Sequence, residues 1–147
     1  KRRDYSKVVG GRKPIVAQEF LGRSVEGKTV IIVDDMISSG ESMLDTAREL
    51  KDRNAKNVIV CCTFGLFTNG FTKFDEAYSN EYIDLIVTAN LNYKPAEIYE
   101  KPWYMEANLS RYLAAIINSF NYDMSTRSFG NSDKIQQVLN AHNAKFK

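Results

Sequence analysis

Two adjacent carboxylates, Asp34 and Asp35, close the β-branched run Val30-Ile31-Ile32-Val33. Ser38-Ser39-Gly40-Glu41-Ser42 then leads into an amphipathic segment. Ligands of open α/β sheets bind beyond the C-terminal ends of the strands, so an acidic pair there marks a candidate site. A serine-glycine loop entering a helix supplies backbone N–H groups and the positive end of the helix dipole, both of which favour an anion. Gly40 lets the backbone approach a ligand closely, and the hydroxyls add donors. Carboxylates beside an anion cradle are reconciled by a ligand that carries both an anion and neutral hydroxyls. A sugar phosphate does: its phosphate would sit on the Ser38 to Ser42 loop, while its hydroxyls donate to Asp34 and Asp35 or a metal bridges to them. Helix capping would suffice for a lone serine and glycine, but the whole succession of strand, acids, loop and helix favours a binding site. No lysine follows Gly40, which disfavours the lysine-bearing phosphate loop of nucleotide triphosphatases.

The elements that must hold this loop follow from periodicity. Thr29 to Val33 is β-branched without alternation, as in a strand covered on both faces, and is expected to be the central strand of a parallel sheet. From Ser42, apolar Met43, Leu44, Ala47 and Leu50 oppose Asp45, Arg48, Glu49, Lys51 and Asp52, which predicts a helix ending near Asn54. Lys51, Arg53 and Lys56 at its end read as a solvated, dipole-complementing cluster. Asn57 to Phe64 is a second buried strand, completing a strand-helix-strand unit of right-handed βαβ type.

Further along, a helix is expected near Thr72 to Ser79 and a strand over Ile83 to Thr88. Leu91 to Lys101 reads as irregular, followed by the short apolar piece Trp103 to Met105. Leu109, Tyr112, Leu113, Ile116, Ile117 and Phe120 form a helical stripe with Asn108 or Ser110 as its cap. A last short helix is expected over Asp133 to Leu139. Upstream, Ile15 to Ala17 begins a short strand, and residues 1–13, with Gly10-Gly11, read as a mobile loop. Tyr93, Tyr99, Trp103 and Tyr104, near Pro95 and Pro102, read as loop packing rather than a platform for bases.

Composition bounds the function. At 147 residues, 44% apolar and 26% charged, the chain suits one globular domain. A net charge of +2 gives no basic footprint for duplex nucleic acid, so no nucleic-acid partner is expected. Cys61 and Cys62 are neighbours on a strand and point to opposite faces, so they are poor partners for each other; a reducing, cytoplasmic setting is expected. No stretch approaches the roughly 20 apolar residues of a membrane span, and no membrane partner is expected. The opening Lys1-Arg2-Arg3, without an initiator methionine, suggests a fragment with further sequence upstream.

VIIVDDMISSGES, Val30 to Ser42, resembles the phosphoribosyl-pyrophosphate binding motif of type I phosphoribosyltransferase folds, in the version found in ribose-phosphate pyrophosphokinases. Lys1-Arg2-Arg3 resembles the Lys-Arg-Arg of that family's flexible catalytic loop, at about the family's spacing. The likeness continues through Thr63-Phe64-Gly65-Leu66-Phe67 and, more loosely, the C-terminal helices. It implies an α/β fold, a mostly parallel sheet flanked by helices. Residues 1–13 would be the flexible catalytic loop and 14–147 the C-terminal phosphoribosyltransferase-like domain, the N-terminal half being absent.

The implied reaction transfers the β,γ-diphosphoryl group of ATP to the anomeric hydroxyl of ribose 5-phosphate, giving phosphoribosyl pyrophosphate and AMP. Lys1 and Arg3 would clamp the transferring phosphates, with Arg3 also reaching ribose 5-phosphate. Asp34 and Asp35 would bind ribose hydroxyls, and Ser38, Ser39, Gly40, Glu41 and Ser42 would hold the 5′-phosphate. Magnesium would be bound mainly by the absent half and by substrate, with no metal ligand assigned in this chain. His142 has no catalytic part. A homo-oligomer is implied, and the fragment alone is expected to be inactive.

The family loop commonly reads Asp-Thr-Gly-Gly-Thr, so Ser38 removes a carboxylate and Glu41 introduces one. Two alternatives follow. One is a phosphoribosyltransferase that uses phosphoribosyl pyrophosphate, and the other is a catalytically silent regulatory subunit.

Overall fold

A computed structural model of the chain describes residues 2–3, 15–17, 22–130, 140 and 144. Its frame is a four-stranded, wholly parallel sheet of β3 (Thr29–Ile37), β4 (Asn57–Gly65), β5 (Leu85–Ala89) and β6 (Tyr104–Ala107), in spatial order β3-β4-β5-β6. The expected α/β fold with a parallel sheet and flanking helices is present. Helix α1 (Glu41–Asp52) joins β3 to β4, and α2 (Thr72–Ser79) joins β4 to β5. Because each strand is laid beside the last in one direction, right-handed crossovers bring both helices onto the same face. There the α1 stripe Met43, Leu44, Ala47 and Leu50 and the α2 residues Phe74 and Ala77 pack on Val58, Val60 and Ile86.

The fully buried Trp103 anchors the C-terminal end of this core. Its ring stacks on Phe74 with centroids 5.5 Å apart, and its indole N–H donates to Asp75 Oδ1 at 2.7 Å. Tyr99 and Tyr104 also pack together, ring centroids 5.9 Å apart, whereas Tyr93 is exposed, so the loop-packing expectation fails for that residue alone.

Several expectations are corrected. Among the described residues β3 is an edge strand, not the central one, and it is not covered on both faces: Ile31 is 60% and Val33 79% exposed. Its apolar run is a two-sided pattern, of which the helices here cover one side. β3 also runs on to Ile37, so the acidic pair lies within the strand rather than after it. Of the apolar piece Trp103 to Met105, Tyr104 and Met105 belong to a fourth parallel strand while Trp103 lies in the turn before it, and the irregular stretch upstream contains a 3-10 helix, Ala96–Glu100.

The apolar stripe of α3 (Ser110–Asn121) stays exposed at Tyr112, Leu113, Ile117 and Phe120. Leu109 takes its N-cap position, in place of Asn108 or Ser110, although Asn108 Oδ1 accepts from the Ser110 amide at 2.9 Å. Lys51 is not merely solvated: its Nζ is 3.1 Å from Asp84 Oδ2, which also accepts from the Val58 amide at 2.7 Å. This ties the end of α1 to the start of β4.

Part of the segment read as a loop is paired, since Arg2–Arg3 (β1) and Ile15–Ala17 (β2) form an antiparallel ribbon with an irregular register. Lys1, the remainder of that segment and the helix expected over Asp133 to Leu139 lie outside the described residues, as does His142. No helix among the described residues is long and apolar enough to cross a membrane.

Candidate sugar-phosphate site

The sheet register assembles the site's floor. Asp34 lies beside Cys62, Cys62 beside Thr88, and Thr88 beside Glu106, so the C-terminal edge carries one row of polar groups. Asp34 and Asp35 are both exposed, and the Asp35 amide donates to Asp34 Oδ1 at 2.9 Å, which fixes one carboxylate against the backbone. Behind them a shallow open pocket of about 250 Å³ is lined by Val33, Asp34, Cys61, Thr88, Ala89 and Leu109. Burial, with a smaller push from the Asp34 charge, raises the Cys62 thiol to about 11, so it is a neutral wall rather than a nucleophile.

The loop from Ser38 to Gly40 turns directly into α1. Gly40 is the N-cap with φ 78°, a left-handed conformation that glycine adopts without penalty. The turn has a second requirement, for a Cβ on Gly40 would lie 2.2 Å from the Phe74 ring. Phe74 belongs to α2 and is fully buried, so the core itself presses against the loop backbone. From the side, the β4–α2 connection braces the loop: the Leu66 amide donates to Ile37 O at 2.8 Å and the Thr68 amide to Ser38 O at 3.0 Å. The Ser38 and Thr68 hydroxyls are 3.4 Å apart. Ser38 is exposed, Ser39 and Gly40 are buried, and Ser42 lies in the first turn of α1. Glu41, also in that turn, is held by Lys73 Nζ at 2.7 Å.

Of the residues the sequence nominated, the fold thus brings Asp34, Asp35, Ser38, Ser39, Gly40, Glu41 and Ser42 onto one edge. Arg3 is placed only by its backbone in β1, and Lys1 lies outside the described residues. The nomination missed Thr68, Lys73 and Phe74, which carry no local signal because they sit in the next crossover. It also missed Lys94, whose side chain is wholly buried and whose Nζ donates to Ala89 O at 2.7 Å with Glu106 Oε2 at 3.5 Å. With Asn92 Nδ2 donating to Gly65 O at 2.9 Å, this ties the loop after β5 to the site's far wall. No group of three or more potential metal-ligating side chains occurs among the described residues.

Comparison with known proteins decides the family, because the model of the phosphoribosyl transferase domain matches residues 1–101. The chain belongs to that family. The phosphoribosyl transferase domain here is 30% identical over 97 residues to the ribose-phosphate pyrophosphokinase of Mycoplasmopsis pulmonis (strain UAB CTIP), covering 65% of this chain and 29% of that protein. It is also 37% identical over 57 residues to the orotate phosphoribosyltransferase of Oceanobacillus iheyensis, covering 39% of this chain and 27% of the relative. Among solved structures, phosphoribosylpyrophosphate synthetase from Mycobacterium smegmatis shares the fold, with a TM-score of 0.60 at 22% identity over 69% of this chain and 33% of that one. The phosphoribosyl transferase domain therefore spans about a third or less of the length of each of these three proteins.

Proposed function

We propose that this chain supplies the ribose-5-phosphate site of a ribose-phosphate diphosphokinase. The observation that carries the reading is the single continuous path from the Asp34-Asp35 pair, through a left-handed Gly40, into the N-terminus of α1. Backbone amides of the Ser38 to Ser42 loop hold the 5′-phosphate, and the dipole of α1 favours its charge. Asp34 and Asp35 accept from the ribose hydroxyls and so fix the sugar ring and the direction of its anomeric oxygen. That oxygen attacks the β-phosphorus of ATP in line, the bond from that phosphorus to the AMP oxygen breaks, and AMP leaves. Lys1 and Arg3 neutralise charge on the transferring oxygens.

Magnesium belongs to the same reading, held mainly by substrate phosphate oxygens and by parts of the enzyme outside this chain. When bound, it would neutralise phosphate charge beside Asp34 and Asp35. A cytoplasmic homo-oligomer belongs to the same reading.

AMP formation from ATP and ribose 5-phosphate by the full-length protein tests this. Lys1→Ala should remove most turnover with ribose 5-phosphate affinity nearly unchanged. Asp34→Asn should weaken that affinity roughly tenfold or more, the scale of one charge-assisted hydrogen bond. Calorimetry showing the opposite division would refute these roles. The likeness to an orotate phosphoribosyltransferase favours a second reading, transfer of the sugar from phosphoribosyl pyrophosphate to a base. Pyrophosphate release that depends on a nucleobase would establish it in place of the first.

A further inference from the structure

Thr68 stands where the β4–α2 connection meets the Ser38 to Ser42 loop, and three successive amides of that connection are committed to the chain entering the loop. The Leu66 and Phe67 amides donate to Ile37 O at 2.8 and 3.3 Å, and the Thr68 amide donates to Ser38 O at 3.0 Å. Phe67 makes this possible in a left-handed backbone conformation, φ 47°, which a residue with a side chain adopts only at a cost. Such strain persists where the surroundings over-determine it. Here they do: the buried Phe67 ring is wedged among Phe71, Phe74 and Trp103, with centroids 5.4, 5.0 and 6.1 Å away. The aromatic core thereby fixes the turn that carries Thr68, and the Gly70 amide closes that turn on Phe67 O at 2.9 Å.

The result is a pair of exposed hydroxyls, Ser38 Oγ and Thr68 Oγ1, 3.4 Å apart although 30 positions separate them in sequence. A hydroxyl bond at its best is about 2.7–2.8 Å long, so these oxygens are neighbours with room to tighten. Either could donate, and the direction matters. Each hydroxyl has one proton to give. A Ser38 proton given to Thr68 is lost to an anion, whereas a Thr68 proton given to Ser38 leaves the Ser38 proton free to meet one.

We propose that Thr68 is a positioning residue for phosphate binding: its hydroxyl donates to Ser38 Oγ, so that the Ser38 hydroxyl turns its own proton to the 5′-phosphate. The inference rests on the reading of the loop as a ribose-5-phosphate site and adds to it the group that aims one of the loop's donors. A dianionic phosphate accepts and does not donate, so it selects this direction, and each bond of the chain polarises the next.

The test is calorimetry of ribose 5-phosphate binding to the full-length protein, compared across the unaltered form, Thr68→Val, Ser38→Ala and the two together. Valine keeps the shape of Thr68 and its amide bond to Ser38 O while removing the hydroxyl. Thr68→Val should lose roughly five- to tenfold in affinity, the scale of one hydrogen bond. Ser38→Ala should lose at least as much, and adding Thr68→Val to it should cost nothing further, because Thr68 acts through Ser38. Thr68→Ser should restore binding. Ribose without the phosphate should bind the unaltered protein and Thr68→Val alike, and the thermal midpoint should be the same for both.

Additive losses would make Thr68 a phosphate ligand in its own right and overturn the proposal. No loss from Thr68→Val in a protein that binds ribose 5-phosphate would overturn it too, as would a loss that Thr68→Ser leaves in place or that unphosphorylated ribose shares. Failure of the unaltered protein itself to bind ribose 5-phosphate, with its thermal unfolding intact, would instead remove the sugar-phosphate reading and this inference with it.

Discussion

Gly40→Ala perturbs the loop at its tightest point, and the structure separates the cost into two parts. Alanine at φ 78° must occupy the left-handed region, which costs about 1–2 kcal/mol. Its Cβ would also fall 2.2 Å from Phe74 Cζ and 2.7 Å from Cε1. Phe74 has nowhere to go, being fully buried, stacked on Trp103 and 5.0 Å centroid to centroid from Phe67. Overpacking of this kind costs about 1–3 kcal/mol, so the two parts together predict a loss of about 2–5 kcal/mol. Gly70 is the internal control: it has φ 73° and nothing within 4 Å of a built Cβ, so Gly70→Ala should carry only the backbone part. Urea unfolding of both variants measures the difference, which is the Phe74 contact itself. Combining Gly40→Ala with Phe74→Leu should cost less than the sum of the two singles, because the smaller side chain relieves the clash. Equal losses for Gly40→Ala and Gly70→Ala, or strict additivity with Phe74→Leu, would show that Phe74 does not press on the loop.

Cys61 is half-buried on the sheet face that the helices leave bare, whereas burial pushes the Cys62 thiol up to about 11. Near pH 8 an alkylating reagent should therefore modify a Cys62→Ser protein much faster than a Cys61→Ser protein; equal rates would contradict this placement. Burial alone would raise the Asp75 carboxyl, but hydrogen bonds from Lys101 and Trp103 outweigh it and hold the group below its ordinary 3.8. A lowered folded value stabilises the protein above the unfolded one, and that contribution is lost as pH falls through the folded value. Asp75→Asn should consequently flatten the decline in unfolding midpoint as pH falls below about 4. A decline as steep as that of the unaltered protein would show that Asp75 carries no such linkage.

The site's own loop was legible because its evidence is local: two acids, small residues and the change from strand to helix period all fall within Val30 to Ser42. Strands β4 and β5 and helices α1 and α2 were legible for the same reason, their apolar periods being unbroken. β6 was harder, since Tyr104–Ala107 is short and half polar, and it counts as a strand only once β5 lies beside it. Lys73, Thr68 and Phe74 could not have been nominated, because their link to the loop depends on how α2 packs. The position of β3 was misjudged for a different reason. Its apolar run reads as burial on two faces, yet Ile31 and Val33 stay exposed, because residue type alone does not say which face a neighbour covers.

That edge position also bears on how the site can move. β3 carries the two carboxylates and leads into the Ser38 to Gly40 loop, yet among the described residues its ladder runs to β4 alone. A strand held on one side opens at lower cost than one held on both, so its amides should be among the first of the sheet to exchange with solvent. A ligand that bridges Asp34 and the start of α1 would fasten the strand at its C-terminal end. Filling the site and mending the border of the sheet would then be one event, and the gain would appear as slowed exchange along β3, well away from the ligand.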